Sequence, residues 1–337
     1  MPDALAPARV LVTGGAGFIG SHYVRTLLGA AHGAGPARLT VLDKLTYAGN
    51  PANLDAVRAD PRFTFVHGDI CDPALVGRLM ASHDEVVHFA AESHVDRSIR
   101  DASAFVTTNV TGTQTLLDAA VQHHVRSFVH ISTDEVYGSI ESGSWPETDP
   151  LHPNSPYAGT KAAGELLALA YHRTHGLDVR VTRCSNNYGY YHHPEKVIPR
   201  FITNLLRGLP VPLYGDGSHI RDWLHIDDHV QGIELVRTRG AAGEAYNVGG
   251  GTELSNRELA GLLLKECGAS WTSVVRVADR PGHDRRYSVD CTKIARLGYR
   301  PRRTFAEGLA DTVAWYRTHR EWWEPLVEHG ASGLVPA

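Results

Sequence analysis

Six short runs of β-branched and aromatic residues alternate with longer helical patterns through the first half of the chain. No other feature limits the fold as strongly. The runs are 9–13 (RVLVT), 39–43 (LTVLD), 63–67 (FTFVH), 85–89 (EVVHF), 127–131 (SFVHI) and 179–183 (VRVTR). Between them, segments such as 21–30, 73–82, 106–123 and 157–175 repeat apolar residues at three- and four-residue spacing. Strand and helix in alternation require crossover connections, hence an α/β fold: a parallel sheet with helices on both faces.

After Arg183 the rhythm changes. Residues 184–220 are rich in proline, glycine and aromatics, which reads as loop suited to gripping a ligand. A strand-like DWLHI and a helical DDHVQGIELV at 222–236 are expected to return to the sheet, and a final amphipathic helix is expected at 305–319. The domain reading is therefore a doubly wound sheet over 9–183, with 222–246 returning to it, and a smaller C-terminal lobe from 184–221 and 247–330.

The formal net charge is −4, with no clustered cationic face, which excludes a basic nucleic-acid binder. No apolar stretch approaches the roughly eighteen residues of a membrane span. Residues 1–8 have neither the charged nor the apolar part of a secretory signal, so a cytoplasmic protein is expected. Its four cysteines, Cys71, Cys184, Cys267 and Cys291, form no C-x-x-C and read as reduced thiols. The pairs His123-His124 and His192-His193 read as solvated surface rather than metal ligands, because adjacent side chains diverge on a helix or strand. No metal is expected.

Directly after the first run comes Thr13-Gly14-Gly15-Ala16-Gly17-Phe18-Ile19-Gly20, leading into a helical pattern. Gly14, Gly17 and Gly20 permit a tight turn whose backbone N–H groups approach a pyrophosphate at a helix N-terminus. Phe18 and Ile19 lie within that turn. Asp43 closes the second run 23 residues past Gly20, where a carboxylate accepts the ribose 2′-OH of NAD and repels the extra phosphate of NADP. Lys44 beside it weakens that preference, and a plain strand-ending turn is the alternative for Asp43. Asp69, Ile70, Ala90 and Ala91 follow the third and fourth runs, at strand ends that would meet the two halves of the cofactor. The fold expected is thus Rossmann-type, with NAD as cofactor.

Tyr157 and Lys161 stand four apart at a helix start, which puts both on one face. A phenol with pKa near 10 needs help to act as a base at neutral pH, and a nearby ammonium together with an oxidised nicotinamide would provide it. Thr133, just past the fifth run, is followed by Asp134 and Glu135 at the C-terminal edge of a parallel strand, where such sheets bind ligands. Adjacent acids in unlike environments can divide into one acid and one base.

With these motifs the chain resembles the extended short-chain dehydrogenase/reductases, which combine T-G-x-x-G-x-x-G with Y-x-x-x-K and an upstream serine or threonine. Residues 89–98 (FAAESHVDRS), 183–189 (RCSNNYG), 194–196 (PEK) and 279–287 (DRPGHDRRY) narrow the resemblance to the dTDP-glucose 4,6-dehydratases, from about Arg9 to Trp322. One departure is Tyr190, where that family usually has proline.

The resemblance implies a nucleoside-diphosphate sugar as substrate, thymidine as its nucleoside, and tightly bound NAD that is regenerated in each turnover. It assigns Tyr157 to the C4 hydroxyl with Thr133, Glu135 to the C5 proton, and Asp134 to the departing 6-hydroxyl. Lys161 would hold the nicotinamide ribose. Arg221, Arg280 and His283 would hold the diphosphate; Asn187, Lys196 and Val197 the substrate loop; Glu92 and Ser93 the sugar. Pro212, Tyr214 and Asn256 complete the implied substrate set, and a homodimer through helices 106–123 and 157–175 is also implied. Two alternatives stand beside it: a nucleotide-sugar 4-epimerase or UDP-glucuronate decarboxylase, which gives Asp134 no leaving group to protonate, and a non-catalytic NAD-binding sensor.

Overall fold

A computed structural model describes residues 7–29, 35–279 and 282–331. The first elements follow the alternating pattern: β1 (Arg9–Thr13), α1 (Phe18–Gly29), β2 (Arg38–Asp43), β3 (Phe63–His67), α2 (Pro73–Met80) and β4 (Glu85–His88). Next come α3 (Val95–Arg100), α4 (Ser103–Val106), α5 (Thr113–Gln122), β5 (Ser127–Thr133), α6 (Pro156–His175) and β6 (Val179–Cys184). The second half holds β7 (Asn186–Tyr188), α7 (Val197–Leu206), β8 (Val211–Tyr214), β9 (Ile220–His225), α8 (Ile226–Arg239) and β10 (Glu244–Val248). It ends with β11 (Glu253–Ser255), α9 (Asn256–Cys267), β12 (Val274–Val277), α10 (Thr292–Ala295), α11 (Phe305–Thr318) and α12 (Arg320–Ala331).

Seven strands form the main sheet in the order β10-β6-β5-β4-β1-β2-β3, and every pairing in it is parallel. Buried apolar clusters lie on both faces: Val12, Tyr23, Val24, Val41 and Ile233 in one, Leu11, Val86, Leu116, Phe128 and Val181 in the other. The order reverses between β1 and β4, and a ligand crevice is expected beyond the strand ends at that point. Residues 222–246 divide: β9 pairs with β7 and β11 in a separate three-stranded sheet, whereas α8 and β10 belong to the main one. A further core gathers Tyr188, Phe201, Leu263, Val313 and Trp323 around α7, α9 and α11.

Two elements depart from the sequence pattern, the first for an identifiable reason. The continuous helix expected at 106–123 is interrupted, with Thr107–Gly112 wound in wider π turns. There the Asn109 amide donates to Glu92 O at 3.0 Å and to Thr160 Oγ1 at 3.0 Å, and its Oδ1 accepts from Glu92 N at 2.9 Å. Gly164 of α6 lets the bulge approach, since a Cβ there would fall 2.6 Å from Asn109 O. The second departure is α12, which the periodicity did not announce.

Arg183 and Glu165 form an ion pair sealed in the core, at 4% and 0% exposure. Arg183 Nε donates to Glu165 Oε1 at 2.9 Å, and Nη1 reaches Glu147 O at 3.1 Å. Replacing Arg183 with Met strands a carboxylate in the interior. The expected loss is about 3–5 kcal/mol in chemical denaturation; a loss below about 1 kcal/mol would show that the pair is dispensable.

Candidate active site

The β1–α1 turn is built by close approach. Gly14 has φ +70, and a Cβ there would lie 2.5 Å from Ala90 N; a Cβ on Gly20 would lie 2.3 Å from Gly14 O. These are backbone contacts that no rotamer change relieves. Gly14→Ala is therefore expected to cost more than about 1 kcal/mol of stability and to abolish dinucleotide retention, measured by melting temperature and by nucleotide content of the purified protein.

That turn forms one wall of a cavity of about 340 Å³. Gly14, Gly17, Phe18, Ile19, Gly20, Asp43, Lys44, Asp69, Ile70, Ala90 and Ala91 all line it. Asp43 is held by Ala16 N and Leu45 N, each donating at 2.8 Å, and burial nonetheless raises its pKa. Each carboxylate oxygen keeps a lone pair for a ribose hydroxyl. Lys44 is exposed and paired with Asp69 at 2.6 Å, so its charge is partly neutralised beside the site. Open glycine backbone and an acceptor at the second strand end are a donor and acceptor set that fits NAD.

Thr133, Asp134, Glu135, Tyr157 and Lys161 line the same cavity. Ser155 caps α6 by accepting from Ala158 N, and Pro156 opens its first turn. That start places Tyr157 and Lys161 under the end of β5. Lys161 Nζ donates to Ile131 O at 2.6 Å, and burial brings its pKa down to about 8. Burial, then the charges of Glu135 and Cys184, push the Tyr157 phenol well above 10, while the Thr133 hydroxyl pulls the other way. The cation of an oxidised nicotinamide bound beside the ring would add to that downward pull.

Asp134 is buried, and its carboxyl is driven well above the usual range, first by burial and then by the charges of Glu135 and Asp222. Its Oδ1 accepts from Thr133 Oγ1 at 3.3 Å, and its Oδ2 has no hydrogen-bond partner among the described residues. Glu135 is half-buried and lines a second cavity as well. Adjacent in sequence, the two acids occupy different environments.

The second cavity, about 210 Å³, shares Ser93, Glu135, Lys196 and Val197 with the first. Pro212, Tyr214, Arg221, Asn256 and His283 line it, while Glu92 and Asn187 line the first. Lys196 Nζ donates to Ser93 O at 2.9 Å, and Arg221 lies 4.3 Å above the Tyr287 ring with Nη2 on Asp284 O. The Asn187 amide is engaged by Ser185 O at 2.9 Å and His229 Nδ1 at 2.8 Å. Arg280 lies outside the described residues. His219, Asp279 and His283 come close enough to suggest a cation site. The two imidazoles are stacked at 3.7 Å and 14°, however, so their in-plane lone pairs do not converge on one ion.

Sequence reasoning missed His192, His193 and Glu195, which also line the first cavity. His192 and His193 are not solvated surface. His192 stacks on Phe18, and burial lowers the His193 pKa to about 4. Only the tertiary placement of the loop after β7 reveals this.

A parallel sheet that reverses between β1 and β4, a glycine turn onto α1, and a Thr-Tyr-Lys set at one cavity define a Rossmann-type short-chain dehydrogenase/reductase. Within that class the chain belongs to the GDP-mannose 4,6 dehydratase family, whose model matches residues 11–312. It is 66% identical over 323 residues to a dTDP-glucose 4,6-dehydratase of Streptomyces griseus, covering 96% of this chain and 98% of that protein. Its fold matches the dTDP-glucose 4,6-dehydratase DesIV of Streptomyces venezuelae, solved with NAD and TYD bound, with TM-score 0.93 and 64% identity over 94% of this chain and 99% of that one. The dTDP-glucose 4,6-dehydratase of Bacillus anthracis, solved with NAD, aligns with TM-score 0.87 at 42% identity over 95% and 99% of the two chains.

Proposed function

We propose that this chain converts dTDP-glucose to dTDP-4-keto-6-deoxyglucose and water, as an NAD-dependent hydro-lyase. The observation that carries this reading is the Asp134-Glu135 pair beside Thr133 and Tyr157, with Asp134 held protonated by burial. An epimerase or decarboxylase has no leaving hydroxyl for such an acid to protonate. Bound NAD would accept the C4 hydride of the sugar and return it to C6, so no external reductant is consumed.

The residues divide the proton work. Tyr157 takes the C4 hydroxyl proton, and Thr133 hydrogen-bonds the same oxygen. The C4 ketone acidifies C5, whose proton Glu135 removes and later returns. Asp134 protonates the 6-hydroxyl as it leaves. Lys161 and Asp43 hold the two riboses, and the glycine turn of Gly14, Gly17 and Gly20 receives the pyrophosphate. Arg221, Arg280 and His283 bind the substrate diphosphate; Glu92, Ser93, Asn187 and Lys196 surround the sugar.

Incubation with dTDP-glucose and no added reductant should remove one water from the sugar nucleotide, read by mass spectrometry, without accumulation of NADH. An unchanged mass would count against the dehydratase.

Homodimerisation is part of the same proposal. Ile99, Val106 and Leu166 expose apolar side chains on α3, α4 and α6, at 42%, 48% and 56%. Molecular mass in solution should correspond to two chains, and a monomer at micromolar concentration would defeat the idea. A cytoplasmic location fits a chain in which no described helix is long and apolar enough to cross a membrane.

A further inference from the structure

The loop at 190–193 joins β7 to α7 and carries four ring side chains in succession. Each is engaged by a different part of the chain. Tyr190 packs against His225 and Trp315; Tyr191 meets Trp315 and Trp322 beneath the Arg25 guanidinium, 4.4 Å from its ring; His193 meets Tyr47 edge-on. Tyr191 has φ +62, a left-handed backbone that a side chain disfavours and that these contacts hold in place. The His192 carbonyl accepts from the Tyr316 hydroxyl. Pinned by α1, α11 and α12, the loop lays the His192 ring on Phe18 at 4.1 Å and 10°.

Phe18 opens α1 immediately after Gly17, where the pyrophosphate of a dinucleotide meets the helix N-terminus. His192 lines the same cavity as Gly14 and Gly17. Burial drives its pKa well below 6.5, so the ring is neutral and offers one donor and one acceptor. Its Nδ1 is enclosed without a hydrogen-bond partner among the described residues. A buried polar atom ordinarily has a hydrogen-bond partner, and one that faces this cavity can take it from a bound molecule.

We infer that His192 is a positioning residue that closes the phosphate end of the dinucleotide site, covering bound NAD and slowing its release. The inference rests on the NAD reading above and adds a residue that no motif marked. A reaction that hands its hydride back within one turnover gains from a cofactor that stays bound.

The test is the rate at which NAD leaves the loaded protein, followed by trapping and quantifying released nucleotide. His192→Ala should release NAD about tenfold faster, the effect of one hydrogen bond and a ring contact. His192→Phe, which keeps the stack but no nitrogen, should fall between Ala and wild type. His192→Gln, which keeps a donor and an acceptor, should stay nearest wild type. Melting temperatures at saturating NAD separate a merely structural role: lower melting with unchanged release overturns the inference. If the Ala variant does not fold, equal release from the Phe and Gln variants overturns it as well. A wild-type chain that neither retains nor binds NAD would defeat the cofactor reading itself. A wild type that holds NAD, with every variant releasing it equally, would defeat His192 alone.

Discussion

Tyr157→Phe is expected to lower kcat on dTDP-glucose about a thousandfold, within the usual range for removing a general base. The substitution deletes one oxygen from a buried ring packed against Phe105 and leaves the backbone bond from Tyr157 N to Ser98 Oγ in place. Folding and NAD content should therefore be nearly unchanged. Loss should appear in the first step, so neither 4-keto product nor NADH should form in a single turnover. A drop smaller than about tenfold would mean that another group takes the C4 proton.

Asp134→Asn separates two properties. Activity should fall about a hundred- to ten-thousandfold, because an amide cannot protonate the departing 6-hydroxyl. C4 oxidation should persist, so the stalled enzyme should show NADH that wild type does not accumulate. Stability should move the other way. The folded-state pKa of Asp134 is raised, so below the ordinary aspartate value, near about 4, both states are protonated and there is no penalty. As pH rises past that value the unfolded chain ionises while the fold keeps its proton, and the cost grows until the folded pKa is passed. Asparagine has no such cost. The variant should melt above wild type at neutral pH, with the gap closing toward pH about 4; a variant less stable at neutral pH would show that the carboxyl is not buried at a cost.

What could be read from the sequence was local. The glycine turn, Asp43 and the Tyr157–Lys161 spacing are set by backbone geometry within one or two turns, and each side chain reaches the cavity its pattern implied. The strand runs were visible because each concentrates β-branched and aromatic residues in four to seven positions between turn signals. The π turns at 107–112 were not, since they depend on Asn109 meeting Glu92 and Thr160, partners 17 and 51 positions away. His192 failed for the same reason: its burial is decided by Phe18 and Tyr316, at opposite ends of the chain. Tyr190, where the resemblance leads one to expect proline, finds its place among His225 and Trp315, contacts no spacing rule contains.

The position of β10 has a consequence for how such a chain can evolve. The edge strand of the main sheet, paired with β6, is reached only after the polypeptide has passed through β7, α7, β8 and β9. Strands of the main sheet are therefore separated along the gene by strands of the two smaller sheets. No single recombination breakpoint can lift out the main sheet intact, and exchange of the intervening segments between relatives would need paired crossovers that spare residues 226–248. A ribosome must also expose some two hundred and fifty residues before the sheet has its last strand.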